Sequence, residues 1–343
     1  MTALAPARRT LGELRQPRIA VLVPCHNEAA TVAQVVADFA RALPGAAVWV
    51  FDNRSTDDTV ARAAAAGALV RHVALKGKGN VVRRMFSDVE ADVYVLVDGD
   101  GTYDAAAAPM MVRRLIDDGL DMVSAARVST EAEAFRAGHR FGNHALSGAV
   151  QMVFGRQFED MLSGYRAFSR RFVKSFPAHS RGFEIETELT VHTLQMRLPA
   201  AEVEAPYGAR PEGSESKLST FRDGWRILRM ISLMVREERP LQFFGVAGLV
   251  ALVLAALLAA PVLAGYFQTG LVPRLPTLVV AVGLAVVALL SFFCGLILDT
   301  VARDRLEQRW LAYLALEGPE ALARPEMLSG GMAGAAALRS VER

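Results

Sequence analysis

An Asp-Gly-Asp at 98–100 closes the apolar run Val93–Val97, in which the Tyr94 hydroxyl is the one polar group. Two carboxylates that close repel each other in low-dielectric surroundings, and one would hold a proton unless a cation joined them. Mg²⁺ or Mn²⁺ removes that conflict, because such hard ions are held by one or two carboxylates together with substrate phosphates. Three further clusters follow β-branched or apolar runs in the same way: Pro24-Cys-His-Asn-Glu28, Asp52-Asn-Arg-Ser-Thr-Asp-Asp58 and Lys76-Gly-Lys-Gly-Asn80. The chemistry on offer is the binding of a phosphorylated ligand through a metal. No Gly-x-Gly-x-x-Gly follows the first run, and Lys76-Gly-Lys-Gly79 lacks the Gly-Lys-Ser/Thr ending, so dinucleotide and P-loop sites are poor readings. Cys25 and His26 have no second metal-like pair and are expected to be structural.

The elements that must position these clusters alternate in type. Ile19–Val23, Val48–Phe51, Leu69–Leu75, Val93–Val97 and Met122–Ala126 read as strands, and Ala29–Leu43, Thr56–Ala66, Asn80–Val89 and Ala105–Asp117 as the helices between them. That rhythm predicts βαβ units and a mostly parallel α/β sheet, and ligands of such sheets bind beyond the carboxyl ends of the strands. From Val128 to about Glu215 the pattern is less regular, with helical stretches at Asn143–Phe154 and Glu186–Met196.

The 343 residues carry 38 Lys and Arg against 36 Asp and Glu, a net charge of +2 that marks no nucleic-acid partner. Mean hydropathy is +0.25, and the apolar residues are concentrated near the C-terminus. Residues 240–273 hold no charged side chain, Arg274 interrupts, and 275–298 is again uncharged. Each stretch supplies the ~20 apolar residues that cross a bilayer core, which predicts a hairpin of transmembrane helices at about 241–265 and 275–298. Arg222, Arg226, Arg229, Arg236 and Arg239 precede the first span and Arg303, Arg305 and Arg309 follow the second. The positive-inside rule then puts both flanks, and the domain before them, in the cytoplasm at the inner membrane. With no signal peptide, and two cysteines (Cys25, Cys294) that form no disulfide framework, a reducing compartment is expected. Residues 219–239 set Phe221, Trp225, Leu228, Ile231 and Val235 against arginines, the pattern of a helix lying in the membrane interface. The expected organisation is a flexible segment at 1–17, a cytoplasmic domain at 18–218, the interfacial helix at 219–239, the hairpin within 240–300 and a cytoplasmic tail at 301–343.

Pro24-Cys-His-Asn-Glu28, Asp52-Asn-Arg-Ser-Thr-Asp-Asp-Thr59 and Asp98-Gly-Asp100 resemble the signature of family-two glycosyltransferases with the GT-A fold. Ser163-Gly-Tyr-Arg166 and Gly213-Ser-Glu-Ser-Lys-Leu218 resemble the branch that makes polyprenyl-phosphate sugars, and the likeness runs from about Arg18 to Leu298. The resemblance implies that Pro24, Asn27, Glu28, Asp52, Lys76, Asp98 and Gly99 hold a nucleotide-sugar. It implies that Asp98 and Asp100 ligate Mg²⁺ or Mn²⁺ on the donor diphosphate, with Thr102, where the family often has Gln, or a water as third ligand. Asp100, Arg127 and Arg140 would be catalytic, and Arg127, Arg140, Arg210 and Lys217 would face the acceptor phosphate, which suits the planar fork of arginine.

The implied reaction is attack by an ionised polyprenyl (undecaprenyl) phosphate on the anomeric carbon, from the face opposite the nucleoside diphosphate. It needs positioning and neutralisation of the leaving group rather than a strong base. The product would be an inverted, lipid-linked monosaccharide for the cell envelope. UDP is the expected nucleotide, membrane lipids are expected partners, and relatives with short anchors imply a homo-oligomer. Two alternatives stand beside this: a membrane-tethered glycosyltransferase with a non-lipid acceptor, and a catalytically inactive scaffold. A processive polysaccharide synthase is disfavoured, because Gln308-Arg-Trp310 has the wrong spacing for Gln-x-x-Arg-Trp and follows the second span.

Overall fold

The computed structural model describes residues 16–128, 158–180, 182, 184–208, 236, 239–272 and 274–322. The segment 1–15, the expected helices at 143–154 and over most of 219–239, and the residues after 322 lie outside that set. All five apolar runs form strands: β1 (Ile19–Cys25), β2 (Ala47–Asp52), β3 (Leu69–His72), β4 (Val93–Leu96) and β5 (Met122–Val128). Two more, β6 (Arg166–Ser169) and β7 (Ala200–Pro206), complete a seven-stranded sheet of order β3-β2-β1-β4-β6-β5-β7. β6 runs antiparallel to both its neighbours, and every other pairing is parallel.

The sheet is covered on both faces, as its wholly apolar strands require. On one face α1 (Val32–Ala42) and α4 (Ala108–Asp117) lay Val32, Val36, Phe39, Met111 and Leu115 over Val21, Val23, Val93 and Val95. On the other, α3 (Lys78–Asp88) brings Phe86 into edge contact with Tyr94 and Phe168, while Phe168 stacks on Phe172 of α5 (Arg170–Ser175). The remaining helices of the α/β domain are α2 (Thr59–Ala65) and α6 (Ile185–Gln195). The chain winds from β1 outward to β2 and β3, then crosses back to β4 on the other side of β1. The β1/β4 boundary is therefore the topological switch point, where a crevice opens at the strands' carboxyl ends. Asp98 and Asp100 stand at that boundary.

The two charge-free stretches form α7 (Pro240–Thr269) and α8 (Leu275–Leu314), both long and apolar enough to cross a membrane. At 1.5 Å per residue α7 is about 45 Å long, more than a ~30 Å hydrocarbon core demands. The hairpin is packed through small residues, as apolar helices must be where no water drives them together. Gly248 lies against the Ala288 carbonyl, and Ala251, Ala255 and Ala281 are buried, while Leu257 and Phe267 face outward, 66% and 83% exposed.

The sequence places the end of the second apolar segment near Leu298, but α8 runs on to Leu314. Two compact units result, one made of α7 and α8 up to Arg309, the other of the α/β domain together with the residues from Trp310 on. The described residues 310–322 are thus part of the domain's packing. The Tyr313 hydroxyl donates to Asp121 Oδ2 at 2.8 Å, and Asp121 is wholly buried at the start of β5. Arg171 closes the cluster, donating from Nε to Asp121 Oδ1 at 2.6 Å, lying over the Tyr313 ring at 4.7 Å and pairing with Glu320 at 3.7 Å. Leu322 then joins the core.

Candidate active site

The loops after β1 and β2 interlock. Asn27, in the left-handed region at φ 56°, donates its N–H to Ser55 Oγ at 2.9 Å and accepts the Thr56 N–H on Oδ1 at 2.8 Å. The Glu28 N–H goes to Thr59 Oγ1 at 2.8 Å and the Ala29 N–H to Asp57 Oδ2 at 3.1 Å. These bonds consume the Asn27 side-chain oxygen, so this residue builds the crevice wall. Pro24 lies opposite Phe51 in the strand register. Asp52, 5% exposed, ends β2 with Oδ1 accepting the Ser55 N–H at 3.1 Å and Oδ2 lying 3.2 Å from His72 Nδ1.

At the switch point the lysine that meets the acidic turn is Lys78. Lys76 is exposed, whereas Lys78 is buried with its ammonium 2.5 Å from both Asp98 Oδ1 and Glu186 Oε1. Burial works against that charge, but the two carboxylates outweigh it and raise the Lys78 pKa. One cation faces two carboxylates, so burial and the nearby Asp98 charge push Glu186 up despite Lys78. Glu186 Oε2 is buried with no hydrogen-bond partner. Lys78 opens α3 directly after its N-cap Gly77, whose φ of 123° is a backbone that residues with a Cβ rarely adopt. Gly164 matters for a different reason: a Cβ there would collide with the Asp98 carboxylate.

Asp100 is 5% exposed, and its Oδ1 accepts both the Thr102 hydroxyl at 2.7 Å and the Thr102 N–H at 3.2 Å. Thr102 therefore orients Asp100, and its own hydroxyl proton is spent on that carboxylate. The Gly99 carbonyl between the two aspartates is fixed by the Thr31 hydroxyl at 2.6 Å. Among the described residues no group of three or more His, Cys, Asp or Glu side chains is placed to hold a metal. Two oxygen donors on a rigid turn suit Mg²⁺ or Mn²⁺ completed by diphosphate oxygens, the usual arrangement for these ions. Asp100 would be the main protein ligand, since Lys78 already neutralises Asp98.

The sequence puts Arg127 just after the fifth strand; in the structure β5 runs on to Val128, Arg127 lies within it, and its fork is taken. Nε donates to Asp160 Oδ2 at 2.6 Å and Nη2 to Oδ1 at 2.8 Å, with the guanidinium 5.4 Å above the Tyr207 ring. Arg140, Arg210 and Lys217 lie outside the described residues. Burial pushes the Asp160 carboxyl up, but Arg127 outweighs burial and holds it below its usual range. Its contribution to stability is therefore full above the unfolded-state pKa near 4 and is lost as pH falls through the lower folded value. Asp160→Ala is expected to cost about 3–5 kcal/mol near neutrality by leaving Arg127 half-buried and unpaired. In urea titrations at successively lower pH, the gap to the parent protein should shrink.

Lys78 and Glu186 are the two residues that sequence reasoning missed. The Lys-Gly-Lys-Gly run shows two candidate lysines but not which one turns inward. Glu186 reads as an ordinary acid in the first turn of a helix.

The sheet order, the acidic turn at its switch point and the interlocked β1 and β2 loops define the GT-A class of α/β fold. The chain belongs to glycosyl transferase family 2, whose pattern matches residues 20–176. It is 36% identical over 232 residues to glycosyltransferase AglJ of Haloferax volcanii, covering 67% of this chain and 76% of that one. It is 30% identical to the dolichyl-phosphate hexose transferase of the same organism, over 64% of this chain and 95% of that one. Glucosyl-3-phosphoglycerate synthase from Mycobacterium tuberculosis, crystallised with Mn²⁺, UDP-glucose and phosphoglyceric acid, superposes with a TM-score of 0.54 at 25% identity, covering 67% and 84% of the two chains.

Proposed function

We propose that this family 2 glycosyltransferase is an inverting, metal-dependent hexosyltransferase that moves a sugar from a UDP-sugar to a polyprenyl phosphate, at the cytoplasmic face of the inner membrane. The observation that carries this is the pairing, in one chain, of a GT-A domain with two helices long and apolar enough to cross a bilayer. A soluble acceptor needs no such hairpin, while a lipid phosphate is met only at a membrane. The dolichyl-phosphate hexose transferase among the relatives and the UDP-glucose and Mn²⁺ of the mycobacterial structure support the acceptor and donor classes.

In this mechanism the donor lies across the carboxyl ends of β2, β1 and β4, its base toward Asp52 and its diphosphate toward Asp98 and Asp100. The divalent ion would supply neutralisation of the leaving diphosphate. The chain's own part is positioning: the Thr102-locked carboxylate of Asp100 and the Lys78–Asp98–Glu186 cluster are fixed before substrate arrives, so little reorganisation is needed during reaction. Arg127 lies on β5, two places beyond β4 in the sheet, and would steer the acceptor phosphate. That phosphate is anionic at pH 7 and already nucleophilic, which leaves no task for a general base.

The test is transfer of radiolabel from UDP-sugars, with GDP-sugars in parallel, to undecaprenyl phosphate by protein purified with Mg²⁺ or Mn²⁺. Organic-extractable product is expected. If soluble acceptors alone become labelled, the tethered alternative replaces the lipid acceptor; no labelled product with any donor supports the inactive scaffold.

A further inference from the structure

β2 and β3 stop at Asp52 and His72, yet the ladder between them continues through a side chain. The Val73 N–H still donates to the Asp52 carbonyl at 2.8 Å, the last backbone rung. Beyond it the buried amide of Asn53 takes over. Its Nδ2 donates to the Val73 carbonyl at 3.1 Å and the Leu75 carbonyl at 2.8 Å, and its Oδ1 accepts the Gly77 N–H at 2.7 Å. Two acceptors on one end and a donor on the other fix which end of the amide is nitrogen. Residues 73, 75 and 77 are spaced by two, as along a strand, so the Asn53 amide stands in for a peptide group of a longer β2. The last of the three is Gly77, the N-cap of α3 directly before Lys78, whose ammonium meets Asp98. Asn53 itself is anchored by its N–H to the Cys25 carbonyl at 2.8 Å.

We propose that Asn53 is a positioning residue that sets the reach of Lys78 onto Asp98, and so tunes the diphosphate end of the donor site from the strand end that faces the base. This rests on the donor-site reading above. Asn53 touches neither Asp98 nor Lys78, and it acts through the backbone of 73–77. Partners that directly orient a metal ligand typically change affinity or activity 10–100-fold when removed, and Asn53, which acts one step further out, belongs at the low end of that range.

The experiment compares UDP and uridine, each with Mn²⁺, on full-length protein in detergent, by calorimetry for UDP and saturation-transfer NMR for uridine. Asn53→Ala is expected to weaken UDP about tenfold, the low end of that range, and uridine hardly at all, because uridine lacks the diphosphate that Lys78 governs. Asn53→Ser keeps one hydroxyl, which can serve one of the three partners but not span them, and should fall between the parent protein and the alanine variant. It also preserves the test if Asn53→Ala does not fold, which a thermal melt will reveal. Equal losses for uridine and UDP would mean general damage to the crevice and overturn the proposal, as would unchanged UDP affinity in both variants. If the unaltered protein binds GDP and guanosine instead, the same comparison applies to that pair. If it binds neither nucleotide, the donor-site reading itself is wrong and the role of Asn53 falls with it.

Discussion

Asp100→Ala is expected to lower sugar transfer about a thousandfold or more, with expression and far-UV circular dichroism unchanged. The magnitude follows from the ion it would hold: a bound divalent cation is worth several kcal/mol of charge stabilisation, and each ~1.4 kcal/mol is tenfold in rate. The fold predicts that the damage stays local. Asp100 lies on a turn after β4 that is held independently by the Thr31 hydroxyl on the Gly99 carbonyl. The strands that flank it are paired along their whole length. Calorimetry of UDP binding separates ligation from structure, because the variant should bind UDP alike with and without Mn²⁺. Thr102→Val gives the complementary result. It frees Asp100 Oδ1 from the hydroxyl without removing the carboxylate, so a loss of about tenfold is expected, the size typical of a partner that orients a metal ligand. Normal turnover in Asp100→Ala would refute the assignment of the metal site.

What the sequence reveals and what it hides divide along local against long-range order. β1, β2 and β4 are legible because each is a short apolar run bounded by polar turns, β3 and β5 because they keep the strand–helix rhythm, and the acidic turn at 98–100 follows β4 directly. β6 is hidden because it has four residues and begins with Arg166, a charge that usually argues against a buried strand. In the fold that guanidinium is satisfied by the carbonyls of Ser163 and Met161 and by the Thr190 hydroxyl, none of which a local pattern announces. β7 reads as polar because Glu202 and Glu204 sit within it. Lys78 and Glu186 meet across more than a hundred residues, and Tyr313 finds Asp121 across 192. Such contacts exist only once the whole sheet has assembled. The tail also conceals its role in composition: Ala, Gly and Ser make up ten of the 21 residues beyond Leu322, and nothing in that composition points to the packing of residues 310–322.

Lys78→Met should cost both stability and turnover, and the two losses should be separable. Removing the ammonium leaves Asp98 and Glu186 facing each other. Breaking a buried ion pair from one side costs about 3–5 kcal/mol, and two like charges left together drive one of them to take up a proton. Glu186 is the one to do so, since it is more deeply buried, 7% against 28% for the Asp98 side chain, and is already pushed up by burial. The folded variant then binds a proton that the unfolded chain releases, so its stability should fall as pH rises above the unfolded carboxylate range near 4. That slope is opposite in sign to the one expected for the Asp160 pair, and urea titrations across pH can distinguish them. Adding Glu186→Gln removes the second charge and leaves Asp98 partly solvated, so most of the stability should return. Turnover should not. In the proposed donor site, loss of Lys78 leaves the divalent ion alone to offset the Asp98 charge, and a loss of about a hundredfold or more is expected from a missing preorganised cation. If the double variant recovered turnover as well, Lys78 would be a structural counter-ion only, and the charge at the diphosphate end would have to come from the metal and from arginines elsewhere.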